Sequence, residues 1–376
     1  MKASKVLFVF GTRPEAIKMA PVIIELNRFR NRFNSVVAVT AQHRQMLDRV
    51  LEIFGIRPDY DLGIMRENQS LTDVTVRVLR RLEPVLKKET PNLVMVQGDA
   101  TSAFAAALAA YYQQIFIGHI EAGLRTFDKY IPFPEEANRR FITTVADFHF
   151  APTRWARQNL LREGVDPRRV YVTGNTVIDT LFWIKEKQFK ELRVEVTRCS
   201  GKRKVLLFTL HRRESFGKPL LGICQAILAL IERNPDVEVV YPVHPNPNVR
   251  LPVKAAFRGR PRIHLVPPLD YPELVQVLER AYLVLTDSGG ITEEAPALGR
   301  PVLILRTKTE RPEAVAAGVA KLVGVEPEKI VTETEKLLYS KSSYRRMQRK
   351  RSLYGDGKAS QRIRKVLMAM LPHIDK

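Results

Sequence analysis

Short apolar runs rich in β-branched residues alternate with longer amphipathic segments along the whole chain. The runs predict strands, and the segments between them, such as 101–112 and 221–233, predict helices. Apolar strands separated by helices are typical of parallel sheets that helices cover on both faces, so the pattern predicts an α/β protein. The predicted strands are 6–10, 36–39, 93–96, 115–118, 149–151, 205–209, 237–242, 263–266, 283–286 and 301–305.

The length of 376 residues exceeds what one ordinary core accommodates, which predicts two domains. The highly charged stretch 185–204 lacks a strong apolar period and precedes a new strand, so it is expected to end the crossover between two similar α/β halves. In doubly wound sheets, ligands bind at the carboxyl ends of the strands. The loops that follow the predicted strands are therefore the places to look for functional residues.

The composition indicates an ordinary globular protein, with 45% apolar and 27% charged residues. The run 6–10 is too short for a signal peptide, and no stretch approaches the roughly 20 apolar residues that span a bilayer. The two cysteines, Cys199 and Cys224, have no metal-ligand spacing, and a disulfide framework is not expected. We expect a cytoplasmic protein with no membrane partner.

The net charge of +21 raises the question of nucleic-acid binding. The basic residues are spread along the chain, and the densest run, 345–351, contains no aromatic residue. The sequence has neither zinc-finger spacing nor an aromatic-rich RNA-binding signature. A basic solvated surface explains the charge better than a nucleic-acid site, so we expect no nucleic-acid partner.

Three loops in the first half carry residues suited to phosphate binding or proton transfer. Gly11 leads into a helix that begins near Arg13, so backbone N–H groups and a guanidinium could bind a phosphate, although a plain strand-to-helix turn explains the same residues. Asp99 either caps the next helix or acts at a site. Glu121 comes straight off a buried strand, where capping does not apply, so a functional role is favoured.

Glu135 and Glu136 begin a helix after a proline-rich loop, where carboxylates also stabilise the helix N-terminus. If they join Asp99 and Glu121 at one site, the carboxylates raise one another's pKa, which is useful for proton transfer at carbon. The chain has no G-x-G-x-x-G sequence, which gives a dinucleotide site little support.

The second half has its own candidates after strands. His211 is a candidate acid or base, and the adjacent Arg212 and Arg213 suit a diphosphate. His244 follows the next strand, and either histidine could be structural. A Ser288-Gly289-Gly290 turn opens a helix whose free N–H groups suit a phosphate, with Glu294 within reach of ribose hydroxyls and Arg311 nearby; a glycine-rich turn before an acidic helix explains the same residues.

These segments, in this order, resemble the non-hydrolysing UDP-N-acetylglucosamine 2-epimerases. The similarity extends from 11–15 to 354–357, and its most specific parts are 118–126, 134–139 and 309–313. It implies a GT-B fold, in which two Rossmann-like α/β/α domains face a central cleft, usually in a homodimer. The domains would be 1–175 and 176–359, with a C-terminal helix at about 360–376 packing back on the first domain.

The reaction that the resemblance implies converts UDP-GlcNAc to UDP-ManNAc reversibly. The C2 proton is removed and UDP leaves C1, giving 2-acetamidoglucal; UDP then adds back, with a proton on the opposite face of C2. No metal, nicotinamide or other cofactor is implied. The product would supply ManNAc-type sugars for surface polysaccharide or glycan synthesis.

By position, the resemblance implies roles for individual residues. A second UDP-GlcNAc binds beside the active site in some bacterial members, but Asn68 replaces the usual arginine here, which counts against activation by substrate. Which carboxylate removes the C2 proton stays open. The implied catalytic residues are Asp99, Glu121, Glu135 and His211. The UDP-binding residues are Arg13, Lys18, Ser288, Gly289, Gly290 and Glu294, to which the chemistry of diphosphate binding adds Arg212 and Arg311. The allosteric positions are Gln42, His43, Gln45, Gln69 and His244.

Four alternatives share some of these features. A GT-B glycosyltransferase would use the same nucleotide-sugar cleft but would need an acceptor, whereas the acidic cluster favours proton chemistry at carbon. An epimerase for a modified sugar is a second alternative, although the stretch 18–21 looks more like the GlcNAc-type enzymes. A hydrolysing enzyme that releases free ManNAc and a nucleic-acid-binding protein are the others.

Overall fold

The computed structural model describes residues 3–40, 44–66, 69–187, 203–212, 215–349 and 352–373. The chain divides into two compact units. The first unit consists of two segments, one that ends at Trp183 and one that begins at Tyr354. The second unit extends from Ile184 to Leu353.

A parallel sheet forms the centre of the first unit, with strand order β3-β2-β1-β4-β5-β6-β7. The strands are β1 Ser4–Phe10, β2 Phe33–Val39, β3 Tyr60–Asp61, β4 Leu93–Gln97, β5 Phe116–Ile120, β6 Phe148–Ala151 and β7 Val170–Val172. The helices are α1 Arg13–Asn27, α2 Arg44–Phe54, α3 Leu71–Glu89, α4 Thr101–Tyr112, α5 Glu135–Val145, α6 Arg154–Arg162 and α7 Thr176–Lys187, with a 3-10 turn at Pro167–Arg169.

The second unit repeats this plan with strand order β10-β9-β8-β11-β12-β13, again parallel. The strands are β8 Lys204–Thr209, β9 Val237–Pro242, β10 Ile263–Val266, β11 Leu283–Thr286, β12 Val302–Ile304 and β13 Ala320–Leu322. The helices are α8 Lys218–Arg233, α9 Pro247–Ala256, α10 Tyr271–Arg280, α11 Gly289–Ala297, α12 Pro312–Ala316, α13 Pro327–Tyr339 and α14 Lys341–Met347.

Both sheets are buried on their two faces, as their apolar strands require. In the second unit Phe208 of β8 and Tyr241 of β9 are fully buried, with ring centroids 4.5 Å apart. The first six strands of each unit have the 3-2-1-4-5-6 order of a Rossmann fold. The α/β class with parallel sheets, predicted from the apolar pattern, is confirmed.

The last helix, α15 Ala359–Met370, belongs to the first unit and is followed by a 3-10 turn at Leu371–His373. Its first turn is held by the buried carboxylate of Asp179 on α7, which accepts from the N–H groups of Ala359 and Ser360 at 3.0 and 2.8 Å. Further along, the Arg364 guanidinium donates to Glu25 of α1 at 2.8 Å.

The compact units begin and end at other residues than the predicted domain bounds of 175 and 359. The reason lies in α7, which runs unbroken past the predicted boundary and packs on the first unit. Its Thr180 hydroxyl donates to the Ile17 carbonyl at 2.6 Å, and Asp179 binds the start of α15. Most of α7 and all of α15 therefore form part of the first unit.

Replacing Asp179 with alanine should destabilise the first unit by about 2–4 kcal/mol, because it leaves buried N–H groups of α15 without acceptors. The matched control is Asp356→Ala, which removes a half-exposed ion pair with Arg362 and should cost less than about 1 kcal/mol. Urea unfolding followed by circular dichroism measures both. Equal losses in the two variants would contradict the anchoring role of Asp179.

A capping box begins α1 and buries a carboxylate. The Glu15 carboxylate accepts from the N–H groups of Gly11 and Thr12 at 3.0 and 2.7 Å, and Thr12 is the N-cap. Burial outweighs these hydrogen bonds and raises the pKa of Glu15 from 4.5 to about 7. The folded protein therefore holds a proton on Glu15 at pH values where the unfolded chain has released it.

The contribution of Glu15 to stability should be fully present below about pH 4.5 and be lost as the pH rises through about 7. The loss amounts to about 3 kcal/mol, at 1.36 kcal/mol for each unit of pKa. Glu15→Gln removes the titration, so its free energy of unfolding should fall less between pH 5 and pH 8 than that of the unmodified protein. Glu52→Gln, at an exposed position on α2, is the control. Parallel pH curves for the unmodified protein and Glu15→Gln would refute this expectation.

Candidate active site

The sheet order of the first unit brings three candidate loops together. Because β4 lies between β1 and β5, the loops at the carboxyl ends of these strands are neighbours. These loops contain Arg13, Asp99 and Glu121. They lie at the carboxyl ends of the strands, where doubly wound folds bind ligands.

Glu121 is the buried centre of this group. Its Oε2 accepts from the Lys18 ammonium of α1 and from the side-chain amide of Gln97. Its backbone φ of 65° lies in the left-handed region, which a residue with a side chain rarely adopts. Glu121, a predicted catalytic carboxylate, thus forms an ion pair with Lys18, a predicted UDP-binding residue.

Asp99 binds a different cation. Arg139 of α5 donates to Asp99 Oδ2 from two nitrogens, at 2.8 and 2.5 Å, and the Asn138 amide donates to the Asp99 carbonyl at 2.9 Å. Ala100 is the N-cap of α4 and makes no side-chain cap. Asp99 therefore lies one residue before the N-cap, and its carboxylate binds Arg139 of α5.

The adjacent glutamates at the start of α5 differ in environment. Glu136 is fully buried; it accepts from the N–H groups of Thr126 and Phe127 at 3.0 and 3.1 Å and from Arg139 at 2.9 Å. It therefore fixes the preceding loop. Glu135 is only partly buried and remains the candidate of the pair for contact with a substrate.

The turn after β1 departs from the sequence-based expectation. The N–H groups of Gly11 and Thr12 donate to Glu15, so a protein carboxylate takes the place that a phosphate was predicted to occupy. Phosphate binding at this turn would depend on the half-buried Arg13 side chain. The T-x-x-E spacing of a capping box was the signal in the sequence that could have identified Glu15.

In the second unit, β8 and β11 are neighbours, and the loops after them are linked by Asp287. Its carboxylate accepts from the N–H groups of His211 and Arg212 at 3.0 and 2.9 Å and from the Ser215 hydroxyl at 3.3 Å. His211 Nδ1 lies 2.9 Å from Asp287 Oδ1. The sequence pattern indicated the turn that begins at Ser288 but no role for Asp287, the residue before it.

Burial alone would raise the pKa of Asp287, but His211 and the surrounding hydrogen bonds outweigh burial and lower it to about 2. The ionised carboxylate only accepts, so His211 Nδ1 carries a proton and Nε2 is the nitrogen that could exchange one with a substrate. The ring of His244 stacks on His211 with centroids 6.3 Å apart.

The start of α11 has the form of an anion site. Ser288 is its N-cap but makes no side-chain cap, so the cap leaves the first N–H groups of the helix to other acceptors. A Cβ at Gly289 would lie 2.3 Å from a guanidinium nitrogen of Arg311, so a larger residue there would have to displace that side chain. Glu294, one turn into the helix, is buried and accepts from the Tyr271 hydroxyl at 2.5 Å.

Arg311 lies behind this turn. Its guanidinium is buried and donates to Glu293 at 2.6 Å and to Glu310. Glu310 also pairs with Arg306 at 2.8 Å and lies 3.7 Å from Arg212. The structure thus places Arg311 as a support for the glycine turn, whereas Arg212 keeps an Nε that makes no hydrogen bond among the described residues.

The predicted allosteric positions are only partly described. Gln42 and His43 lie outside the described residues, as does Asn68, and Gln45 is placed only as a residue of α2. The Gln69 side chain accepts from Arg77 at 3.2 Å in the first unit. His244 belongs to the second unit, beside His211.

Among the residues the structure describes, no three His, Cys, Asp or Glu side chains cluster as a metal-ligand set. Over the same residues, no helix is both long and apolar enough to cross a membrane.

Known proteins of one family are similar to this chain over almost all of its length. A sequence model of the UDP-N-acetylglucosamine 2-epimerase family matches residues 25–368. The UDP-N-acetylglucosamine 2-epimerase of Yersinia pestis is 51% identical over 96% of this chain and 98% of its own length. The enzyme of the same name from Escherichia coli strain K12 is 49% identical over the same shares of the two chains.

A solved structure gives the same result. The UDP-GlcNAc 2-epimerase of Neisseria meningitidis, bound to UDP-GlcNAc, is 47% identical over 97% of this chain and 100% of that one, with a TM-score of 0.94. The likeness confirms the GT-B architecture that the sequence resemblance implied. With about half of its residues shared with these relatives over nearly its whole length, the chain belongs to the UDP-N-acetylglucosamine 2-epimerase family and is an isomerase.

Proposed function

We propose that the protein interconverts UDP-GlcNAc and UDP-ManNAc by the non-hydrolysing route. The C2–H and C1–O bonds break, leaving a C1–C2 double bond, UDP and a proton; UDP then returns to C1 and a proton to the opposite face of C2. The observation that carries the proposal is the pair of carboxylates at adjacent strand ends, Asp99 and Glu121, each held by its own cation. The Neisseria meningitidis relative bound to UDP-GlcNAc supports the choice of substrate.

Proton removal from carbon needs a base that is fixed in position and sheltered from water. The hydrogen bonds of Asp99 to Arg139 and of Glu121 to Lys18 meet the first need. One carboxylate of the set Asp99, Glu121 and Glu135 would take the C2 proton. Arg13 and Lys18 would add positive charge near the sugar and its diphosphate.

Departure of UDP needs stabilisation of the diphosphate charge that develops as the C1–O bond breaks. In the second unit, the start of α11 at Ser288, Gly289 and Gly290 would bind the diphosphate together with Arg212. Glu294 would bind the ribose hydroxyls. His211, oriented by Asp287, would assist UDP departure or exchange the proton on the opposite face of C2.

The test is to incubate the purified protein with UDP-GlcNAc in deuterated water, without added metal or nicotinamide, and to follow the reaction by proton NMR. We expect UDP-ManNAc to appear with deuterium at C2. Free ManNAc would indicate a hydrolysing enzyme. No product and no exchange at C2 would contradict the proposal and favour a modified-sugar epimerase or an acceptor-dependent transferase.

The same experiment tests the carboxylates one at a time through Asp99→Asn, Glu121→Gln and Glu135→Gln. Loss of the base should lower kcat by at least about a hundredfold, since general bases contribute on the order of 10²–10⁴. Glu83→Gln, at an exposed site on α3, is the matched control. A variant with near-normal turnover removes that residue from the catalytic set.

We also propose that the protein is a homodimer, as the family resemblance implies. Large apolar side chains that are more than half exposed support it: Tyr111 and Tyr112 on α4 and Phe141 on α5. The Phe141 ring contacts Phe104 of α4 at 5.2 Å between centroids. Burying such a surface would stabilise an association of two chains.

Light scattering of the purified protein should give twice the chain mass of 43.0 kDa. Replacing Tyr112 and Phe141 together with serine should shift the mass towards one chain, because the apolar contact is lost. Leu251→Ser, at another exposed apolar position, is the control and should leave the mass unchanged. A mass of 43.0 kDa for the unmodified protein would refute the dimer.

A cytoplasmic location is proposed because Cys224, the cysteine among the described residues, is a free thiol, as is usual in a reducing compartment. The product would supply ManNAc-type sugars for surface polysaccharide or glycan synthesis.

A further inference from the structure

The turn after β4, formed by Gly98 and Asp99 next to the last strand residue Gln97, is held from both sides. From β5, the Ile120 carbonyl accepts from the Gly98 N–H at 3.0 Å. From α5, the Asn138 amide donates to the Asp99 carbonyl at 2.9 Å. Gly98 has a φ of 70°, a left-handed conformation that glycine adopts without strain. The position of the turn therefore depends on bonds that its neighbours supply.

His119 of β5 supplies a further bond to the same turn. Its Nε2 lies 2.8 Å from the Gly98 carbonyl oxygen. A carbonyl oxygen only accepts, so Nε2 carries the proton and the tautomer is fixed. The imidazole is fully buried, and burial lowers the pKa of His119 to about 4, so the ring stays neutral at physiological pH.

We propose that His119 is a positioning residue for the epimerisation, holding the turn that carries Asp99 and directly follows Gln97. Gln97 directly precedes Gly98, and its side-chain amide donates to Glu121. The bond from His119 to Gly98 would therefore also help to position Glu121, the second carboxylate. His119 would touch no substrate; it would act by fixing two groups that do. This inference rests on the proposed function, because it gives His119 a role in that reaction.

The sheet provides a matched comparison in His149. It is the β6 residue paired with His119 in the parallel register, is equally buried, and has a pKa lowered by burial to about 3. Its backbone hydrogen bond goes to Ala146, away from the turn that carries Asp99. His119 and His149 are neighbours in one sheet, and replacing either one removes a buried imidazole. Only the replacement of His119 also removes a hydrogen bond to Gly98, in the turn that carries Asp99.

The experiment compares His119→Met, His119→Gln and His149→Met with the unmodified protein. Methionine fills the space without a donor, whereas the glutamine amide can reach the place of Nε2. The measurements are kcat and KM for UDP-GlcNAc, the rate of deuterium entry at C2, and the melting temperature. We expect His119→Met to lower kcat and C2 exchange roughly ten- to hundredfold with little change in KM, since misplaced groups cost rate on this scale.

His119→Gln should recover most of the lost kcat, and His149→Met should keep the kcat of the unmodified protein even if it melts earlier. A folded His119→Met protein with the kcat of His149→Met would overturn the proposal. If His119→Met does not fold, His119→Gln is compared with His119→Asn, whose shorter amide cannot reach Gly98, and equal kcat values overturn it. An unmodified protein that is inactive on UDP-GlcNAc would instead refute the proposed function.

Discussion

Buried carboxylates at the ends of parallel strands determine how both candidate sites are built. A carboxylate at such a position loses its water and has to gain protein partners in exchange. Glu121 gains Lys18 of α1 and Gln97 of β4. Asp287 gains the His211 imidazole and two backbone N–H groups of the loop after β8, so each carboxylate ties its own loop to other elements. The need to compensate buried charge therefore fixes the loops in which the functional residues lie.

Glu15 and Asp287 show that the kind of partner decides the outcome. Both are buried and both accept from two backbone N–H groups of a strand-end turn. Glu15 gains no cationic side chain among these partners, and burial raises its pKa to about 7. Asp287 faces the His211 imidazole, and its pKa falls to about 2. One carboxyl therefore titrates near neutral pH, whereas the other stays a fixed negative charge that orients a histidine.

The sequence predicted the centres of both sheets because their strands are buried apolar runs. The bounds of β9, β10 and β11 agree with prediction residue for residue. The strands that were missed, β3, β7 and β13, all lie at sheet edges and have two or three residues each, too few to form a pattern.

The candidate site divides in the same way. Its residues were chosen by the rule that ligands bind at strand ends, which points to the loops after β1, β4, β5, β8 and β11. Their partners could not be predicted, because Asp99 meets Arg139 and Glu121 meets Lys18 only after the sheet has folded. The local T-x-x-E pattern at Thr12 and Glu15 was readable in the sequence, whereas the bond from His119 to Gly98 depends on the register of β5 against β4.

The second unit alone would not distinguish an epimerase from a glycosyltransferase. Both reactions expel a nucleoside diphosphate from C1, and both gain from a helix N-terminus and arginines that stabilise the leaving charge. The distinction lies in the first unit, where Asp99 and Glu121 are each tied to a cation. Asp99 lies on a turn held by β5 and α5, and Glu121 accepts from Gln97 beside that turn. A transferase directs its chemistry at an acceptor hydroxyl, whereas an epimerase needs a base placed against one C–H bond. Carboxylates held this firmly match the stricter positional demand of carbon acid chemistry.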